Sequence, residues 1–268
     1  MKLKNQELKD KLIGSSLLWR HRPVKNHVID EIKNGYIYFS RPDQLNDPYD
    51  CFPGLIKMKD DPITIKKYIQ KHYPGDSRAE RRRQAKELAK TDGVHILEEI
   101  NSNQIQNIGV ASFTINCSNL MMWSHYSDFH QGICMGYNGT LDKDYFNSWP
   151  VKYVQKDESF EVMEFDPSDH DQFAKGMSHL VSVKSFLWQM EYEQRIIKVK
   201  SGKYKFAPNA LEFIVLGSKI STEFQNEVLN AIHENGSYSN LSVYSLRPSS
   251  KNVFGMNFTK VTPQTSNN

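Results

Sequence analysis

The sequence of 268 residues predicts one α+β domain. Its hydrophobic content of 38% and aromatic content of 12% are ordinary for a folded globular protein. Segments with strand and helix patterns are mixed without a regular βαβ rhythm, which favours an α+β fold over a doubly wound sheet. The chain is long enough for one large core and contains neither an internal repeat nor a long linker. We therefore expect a single domain over residues 1–268.

The predicted elements follow from hydrophobic spacing and from the residues that end them. Residues 1–16 predict a peripheral amphipathic helix, and a strand at 17–22 ends at Pro23. Apolar residues at 24–34 recur at helical spacing up to Gly35, which is typical of a helix end. The other predicted strands are 36–40, 109–114, 132–137, 151–154, 188–197, 212–217, 241–246 and 253–258. The other predicted helices are 120–128, 169–186 and 221–233.

Residues 60–105 predict a helical, basic insertion that lies on the surface. The basic residues at its centre are Arg78, Arg81, Arg82, Arg83, Lys86 and Lys90. Such a run is most often a solvated helix face, and the alternative is a contact with the phosphates of a nucleic acid. At the other end of the chain, residues 261–268 predict a flexible tail.

Charge and cysteine usage predict a cytoplasmic protein without a membrane contact. The net charge of +3 is too small to make the whole molecule a binder of polyanions. No apolar run approaches the roughly 18–20 residues of a membrane-spanning helix, and the lysines at the N-terminus precede no apolar segment of a signal peptide. The three cysteines lack C-x-x-C spacing, which fits a reducing compartment better than a disulfide scaffold.

Two segments combine polar groups at a spacing that suggests a site. The loop Asn46-Asp47-Pro48-Tyr49-Asp50 carries two carboxylates and a carboxamide, which suit a metal or a ribose hydroxyl. Asn and Asp also hydrogen-bond their own backbone in such turns, and we favour that interpretation. In the helix at 120–128, Trp123 and Tyr126 share one face, which is typical of a core.

The segment W-Q-M-E-Y-E-Q-R-I-I at 188–197 contains the most informative pair of carboxylates. In a strand, Glu191, Glu193 and Arg195 project from one face, with the two carboxylates roughly 6–7 Å apart. Like charges this close need an electropositive partner. The three candidates are Arg195, a metal ion and a substrate that develops positive charge. Taken alone, the segment favours a common alternative, an exposed strand face with a Glu–Arg pair that contributes little.

The order of motifs resembles domain-of-unknown-function family 2971, a large and mostly bacterial family. The matching pieces are L-W-R-H-R (18–22), Y-I-Y-F-S-R-P-D-Q-L-N-D-P-Y-D (36–50), A-S-F-T (111–114), M-W-S-H-Y-S-D-F-H-Q-G-I-C-M-G-Y (122–137), K-S-F-L-W-Q-M-E-Y-E-Q-R-I-I (184–197) and F-I-V-L-G (213–217). The resemblance covers residues 17–246, departs from the family at His21, where tyrosine is common, and leaves the basic insertion unmatched. It implies a bacterial or phage setting of defence or toxicity and assigns no activity.

More distantly, the order of elements resembles the ADP-ribosyltransferase fold. That resemblance implies two small mixed or antiparallel sheets around a cleft that holds NAD, and an enzyme that transfers ADP-ribose to a protein or nucleic-acid acceptor or hydrolyses NAD. Glu193 is then expected to stabilise the charge that develops on the ribose, and Glu191 to orient or deprotonate the acceptor. The expected NAD-binding residues are Arg22 (or Arg20 in another register), His21, Ser112, Trp123, Tyr126, Asn46 and Asp47.

Two alternatives stay open at this point. In a metal-dependent nuclease, Asp47, Asp50, Glu191 and Glu193 converge on Mg²⁺, Lys184 contacts phosphate, and the basic insertion grips nucleic acid. In a binding or sensing module without turnover, the polar residues fix the fold and the basic helix recruits a partner through Arg81–Arg83.

Overall fold

The computed structural model describes residues 17–52, 55–59, 61–90, 105–155, 163–166, 169–238, 240–250 and 255–261. Its strands are β1 (Leu17–Arg22), β2 (Tyr36–Phe39), β3 (Ile56–Met58), β4 (Gly109–Thr114), β5 (Ile133–Asn138), β6 (Trp149–Pro150), β7 (Lys152–Val154), β8 (Met163–Phe165), β9 (Val183–Ser185), β10 (Glu193–Lys198), β11 (Gly202–Lys205), β12 (Leu211–Leu216), β13 (Ser242–Pro248) and β14 (Met256–Lys260). Its helices are α1 (Asn26–Asn34), α2 (Pro62–His72), α3 (Arg78–Lys90), α4 (Leu120–Tyr126), α5 (His170–Ser182) and α6 (Thr222–Asn235).

A mixed sheet of eight strands forms the centre of the described fold, in the order β14-β13-β12-β5-β1-β4-β10-β6. β12 and β13 run parallel, joined by α6, and the other neighbours are antiparallel. Three two-stranded sheets, β2–β11, β3–β8 and β7–β9, surround it. The α+β class is confirmed, whereas the expectation of two small sheets is wrong because most strands pair into one sheet.

Alternating side chains bury both faces of this sheet. Along β5, Met135 and Tyr137 join the core that packs under α1 and α6, while Cys134 joins the core on the opposite face. On that opposite face the ring of Trp19 lies directly against Gly136, where an added Cβ would come within 2.5 Å of a ring carbon. A large aromatic residue on β1 therefore requires glycine on β5.

β1 and β4 are neighbours in the sheet, yet they pair only at Trp19 and Thr114. Both strands are fully paired on their other edges, β1 with β5 and β4 with β10. Beyond the single pair the two strands separate, and Ser40 at the end of β2 pairs with Val110 on β4 instead. Pro23 follows β1 and cannot donate a backbone hydrogen bond, so it suits the point where β1 leaves the sheet. The sheet is thus nearly divided into a five-stranded and a three-stranded part.

The segment before β10 differs from the prediction. Residues 188–197 were expected to form one strand, but Phe186–Glu191 is a 3₁₀ helix and the strand begins at Glu193. Tyr192 joins them in the left-handed conformation, with φ of 46°. The predicted helix at 169–186 is also too long, because it ends at Ser182 and β9 follows. Periodicity alone does not reveal such short elements, which tertiary contacts stabilise.

The described part of the insertion consists mainly of two helices. α2 and α3 pack together, and their apolar residues contribute to a second core with α5. The predicted peripheral helix at 1–16, residues 91–104 of the insertion and residues 262–268 of the predicted tail lie outside the described residues. Among the described helices, none combines the length and the apolar character that crossing a bilayer requires.

Candidate functional site

A cavity of about 220 Å³ lies where β1 and β4 separate. Strand β1 supplies one wall, strand β4 supplies the opposite wall, and the loop after β2 together with α4 closes the sides. The polar and charged residues that line it are Arg20, His21, Arg22, Ser40, Gln44, Asn46, Ser112, Tyr126, Lys184, Glu191 and Glu193. Eight of the ten residues that the sequence predicted for the NAD site therefore share one cavity.

Because β1 and β4 separate, backbone groups of both strands also face this cavity. Val110 exchanges both of its backbone hydrogen bonds with Ser40, at 2.8 and 2.9 Å, on the edge of β4 that faces β1. Backbone groups alternate between the two edges of a strand, so the amide and carbonyl of Ser112 point to the same side. On β1, the backbone amide and carbonyl of His21 face those of Ser112 across the gap, because His21 lies two residues beyond the pair at Trp19. Both residues thus direct a backbone amide and a backbone carbonyl into the gap between the strands.

The acidic end of the cavity is a buried group of five charged side chains, which we call the charge cluster: Asp50, Lys184, Glu191, Glu193 and Arg195. Lys184 Nζ lies 2.7 Å from Glu191, 3.2 Å from Glu193 and 3.6 Å from Asp50. Arg195 contacts Asp50 and binds Glu193 through Nε at 2.8 Å. Three carboxylates meet two cations, so the charge cluster has a formal net charge of −1.

The two glutamates differ in how many donors surround them. Glu193 accepts hydrogen bonds from Arg195 Nε at 2.8 Å, Arg195 Nη2 at 3.1 Å and Lys184 at 3.2 Å. A carboxylate offers about four acceptor positions, so cations occupy most of those of Glu193. Within the described part of the chain, Glu191 accepts from Lys184 and from the Tyr126 hydroxyl only. Glu191 therefore keeps acceptor capacity on a residue that lines the cavity.

Opposing influences act on the pKa of each glutamate. Burial alone would raise the pKa of Glu193, but Arg195 and then Lys184 outweigh it and lower this pKa to about 2. For Glu191, burial dominates over Lys184 and over the hydrogen bond from Tyr126, so its pKa is raised. Glu193 is thus a permanently charged partner of Arg195, and Glu191 is the carboxylate better suited to exchange a proton.

The two arginines of β1 also differ in the groups that they contact. Arg22 donates to Glu31 at 2.8 Å, and Glu31 on α1 is only 1% exposed. Burial, followed by the nearby charge of Arg20, lowers the pKa of Arg22 to about 10. Arg20 is 8% exposed and donates to the carbonyl of Tyr38 at 3.0 Å. Among the described residues, neither its Nη1 nor Nε of Arg22 has a hydrogen-bond partner, and both atoms are buried. What separates the two arginines is therefore their charge partner: Glu31 pairs with Arg22, whereas no carboxylate of the described residues lies within ion-pair distance of Arg20.

His21 is buried between the cavity and the core. Its ring meets Trp123 edge-on, with the centroids 4.9 Å apart. Burial lowers the pKa of His21 to about 3, so the ring is neutral near pH 7. A neutral ring at this position leaves Arg20 and Arg22 as the cations that β1 presents.

The loop after β2 connects its residues to different parts of the site. Asn46 donates to the Tyr126 hydroxyl at 2.8 Å, and that hydroxyl donates to Glu191. Asp50 reaches Arg195 and Lys184 in the charge cluster. Asp47 instead accepts a hydrogen bond from the amide of Tyr49 at 2.9 Å, as expected for a residue that stabilises its own turn.

Trp123 and Asp47 are the two predicted residues that do not line the cavity. Trp123 is fully buried in the core and donates from its indole to the carbonyl of Cys117 at 2.6 Å. Stacking of Trp123 on nicotinamide is therefore not possible in this arrangement. The sequence did not indicate Glu31, nor the position of Lys184 at the centre of the charge cluster. The only indication of Lys184 was a charged residue inside an apolar stretch.

The charge cluster does not resemble a metal site. Lys184 lies between three of the four carboxylates that were expected to hold Mg²⁺, and Asp47 faces its own turn. Within the described part of the chain, no group of three His, Cys, Asp or Glu side chains is arranged to hold a metal ion. An ammonium group thus takes the position that the nuclease hypothesis assigns to a metal.

Comparison with known proteins gives no match: no family model, no curated protein and no solved structure is significantly similar to this chain.

Proposed function

We propose that the protein cleaves the N-glycosidic bond of NAD and passes the ADP-ribose to water or to an acceptor. The observation that carries this proposal is the composition of one cavity: two arginines of β1 at one side, Ser112 opposite them, and two glutamates at the acidic end. A nucleotide that contains both phosphates and a positively charged glycosidic nitrogen needs both kinds of charge within reach.

The structure modifies the roles that the resemblance implies. Arg20 rather than Arg22 is the proposed phosphate anchor, because Glu31 already neutralises Arg22 whereas no described carboxylate pairs with Arg20. Glu191 rather than Glu193 is the proposed carboxylate that contacts the ribose, because Arg195 and Lys184 already occupy most acceptor positions of Glu193. Glu193 then holds Lys184 and Arg195 in place and keeps the charge cluster negative.

The bond between ribose C1′ and the nicotinamide nitrogen breaks, and its electron pair leaves with nicotinamide, which becomes neutral. Positive charge grows on the ribose, and the net charge of −1 on the charge cluster stabilises it more in the transition state than in the ground state. Water or an acceptor hydroxyl then attacks C1′ and transfers its proton to Glu191, whose pKa is raised by burial.

The cavity limits how much of the substrate it encloses. Its volume of about 220 Å³ is below the roughly 300–1,000 Å³ of pockets that enclose a drug-sized ligand. The nicotinamide and its ribose would fill it, while the adenosine half would extend over the surface beside Arg20. Substrates that keep the nicotinamide ribose phosphate and lack adenosine are therefore expected to react as well.

The direct test is the release of nicotinamide from NAD by the purified protein, followed by chromatography, with Glu191→Gln as the inactive control. The proposal predicts turnover that Glu191→Gln abolishes and that a chelator leaves unchanged. Failure of NAD to bind, measured by calorimetry on the folded protein, would refute it. Turnover that requires added Mg²⁺ would instead support the metal-dependent alternative.

A further inference from the structure

The hairpin of α2 and α3 carries a charge that the rest of the chain does not share. Residues 62–90 contain nine lysines and arginines but three acidic residues, a net charge of +6. The whole chain has a net charge of +3, so the remainder has a net charge of −3. The positive charge is therefore concentrated on one surface element rather than spread over the molecule.

Four cations of α3 form a continuous stripe. Arg78, Arg82, Lys86 and Lys90 follow one another at intervals of four residues, and all four side chains are exposed. Each interval advances about 6 Å along the helix and turns about 40° past a full turn. The stripe thus runs along about 18 Å of helix, with Arg83 beside it.

These charges are weakly neutralised by the protein itself. Glu80 lies 3.5 Å from Arg83 and Glu87 lies 3.2 Å from Lys90, both as exposed pairs that contribute little. Among the described residues, no acidic side chain comes within ion-pair distance of Arg78, Arg82 or Lys86. The stripe accordingly keeps most of its positive potential for a partner.

The packing of the hairpin holds this stripe toward solvent. α2 buries Ile65, Tyr68 and Ile69 in the second core, and Ala85 and Leu88 of α3 pack against the same core. Leu88, the larger apolar residue of α3, thus packs against the protein itself, so α3 has no apolar face to insert into a bilayer. A partner would have to be recognised by charge.

We propose that the α2–α3 hairpin binds the phosphodiester backbone of a nucleic acid. A row of cations along about 18 Å of helix complements a row of phosphates, since duplex DNA carries one charge per roughly 1.7 Å of its axis. Groups that read base edges are not required for this contact, which fixes position without specifying sequence. The proposal is independent of NAD cleavage and does not involve the cavity residues.

The test compares two triple variants that lose the same charge. Arg78→Gln/Arg82→Gln/Lys86→Gln removes three cations of the stripe, and Lys143→Gln/Lys200→Gln/Lys205→Gln removes three exposed lysines elsewhere. Glutamine forms helices well, so the first variant is expected to keep α3, as circular dichroism would verify. Binding to labelled duplex DNA, duplex RNA and single strands is measured by fluorescence anisotropy over a range of salt concentrations.

The stripe variant is expected to lose affinity at least tenfold relative to the lysine control. For duplex DNA, the slope of log affinity against log salt should fall by about 0.9 for each lost phosphate contact, hence by nearly three. Equal losses in both variants would overturn the proposal, because they would indicate net charge alone. Binding to phosphatidylserine vesicles without binding to any of the nucleic acids would overturn it as well.

Discussion

Asn46 donates a hydrogen bond to the hydroxyl of Tyr126 at 2.8 Å, across 80 residues of sequence. The Tyr126 hydroxyl in turn donates to Glu191. This chain of contacts joins the L-N-D-P-Y-D loop, the M-W-S-H-Y helix and the E-Y-E segment at one cavity. Three sequence motifs that are far apart along the chain therefore serve a single site.

The contrast between Arg20 and Arg22 gives the first prediction. Arg20→Gln is expected to weaken NAD binding about 10- to 100-fold, the equivalent of a charged hydrogen bond of about 1.5–3 kcal/mol. Arg22→Gln is expected to lower the free energy of unfolding by about 3–5 kcal/mol, because it leaves the buried Glu31 unpaired. Calorimetric titration and denaturant unfolding measure the two effects. The assignment fails if the two variants exchange these phenotypes.

The second prediction separates the two glutamates. Glu191→Gln is expected to reduce kcat about 10²- to 10⁴-fold as the loss of a proton acceptor, with a cost in stability of about 1 kcal/mol. Glu193→Gln is expected to destabilise the fold by about 3–5 kcal/mol, because Arg195 loses its bidentate partner. Steady-state kinetics and urea unfolding of both variants provide the check. An inactive Glu193→Gln protein of unchanged stability, beside an active Glu191→Gln protein, would contradict this division.

Tyr126→Phe provides the third prediction. The hydrogen bond from the Tyr126 hydroxyl lowers the pKa of Glu191, against the stronger effect of burial, which raises it. Without the hydroxyl this pKa should rise further, so the acidic limb of the kcat/KM profile should move to higher pH. Tyr145→Phe is the matched control, because its hydroxyl donates to the carbonyl of Tyr204 away from the cavity. An identical shift in both variants would show that Tyr126 does not act through Glu191.

The fourth prediction concerns stability in acid. The pKa of His21 falls from an ordinary value of 6.5 to about 3 in the folded protein because the ring is buried. Between these values the unfolded chain binds the additional proton, so the free energy of unfolding decreases as pH falls from 6.5 toward 3. His21→Phe keeps an aromatic ring against Trp123 and should flatten that part of the profile. The exposed His170→Phe is the control, and a slope that His21→Phe leaves unchanged would disprove the link.

The sequence predicted most elements because their signals are local. β1, α1 and β2 follow from a strand pattern ended by Pro23, a helical spacing ended by Gly35 and an aromatic strand, and the structure has all three. Gly35 adopts φ of 63°, the left-handed helix end that its type favours. The left-handed turn at Tyr192 was not predicted, since an aromatic residue gives no indication of a positive φ.

The residue types of the candidate site were also predictable, whereas their division of labour was not. The sequence indicated arginines near the start of the chain and paired carboxylates near its end. It favoured Arg22 and Glu193, and the structure engages these two side chains with Glu31 and Arg195. No local pattern indicates that Glu31 pairs with Arg22, because Glu31 lies on a helix and meets Arg22 only after β1 and α1 pack.

By itself, the sequence determined the class of fold, the types of its segments and the chemical groups that gather at the cavity. Only the tertiary structure decided that β1 and β4 pair at one position and then separate, which opens that cavity. It also decided which charges compensate one another in the protein and leave Arg20 and Glu191 available to a ligand. The physical reason is that hydrophobic spacing acts between neighbours in the chain, whereas strand pairing and ion pairing depend on distances in space that the whole fold sets.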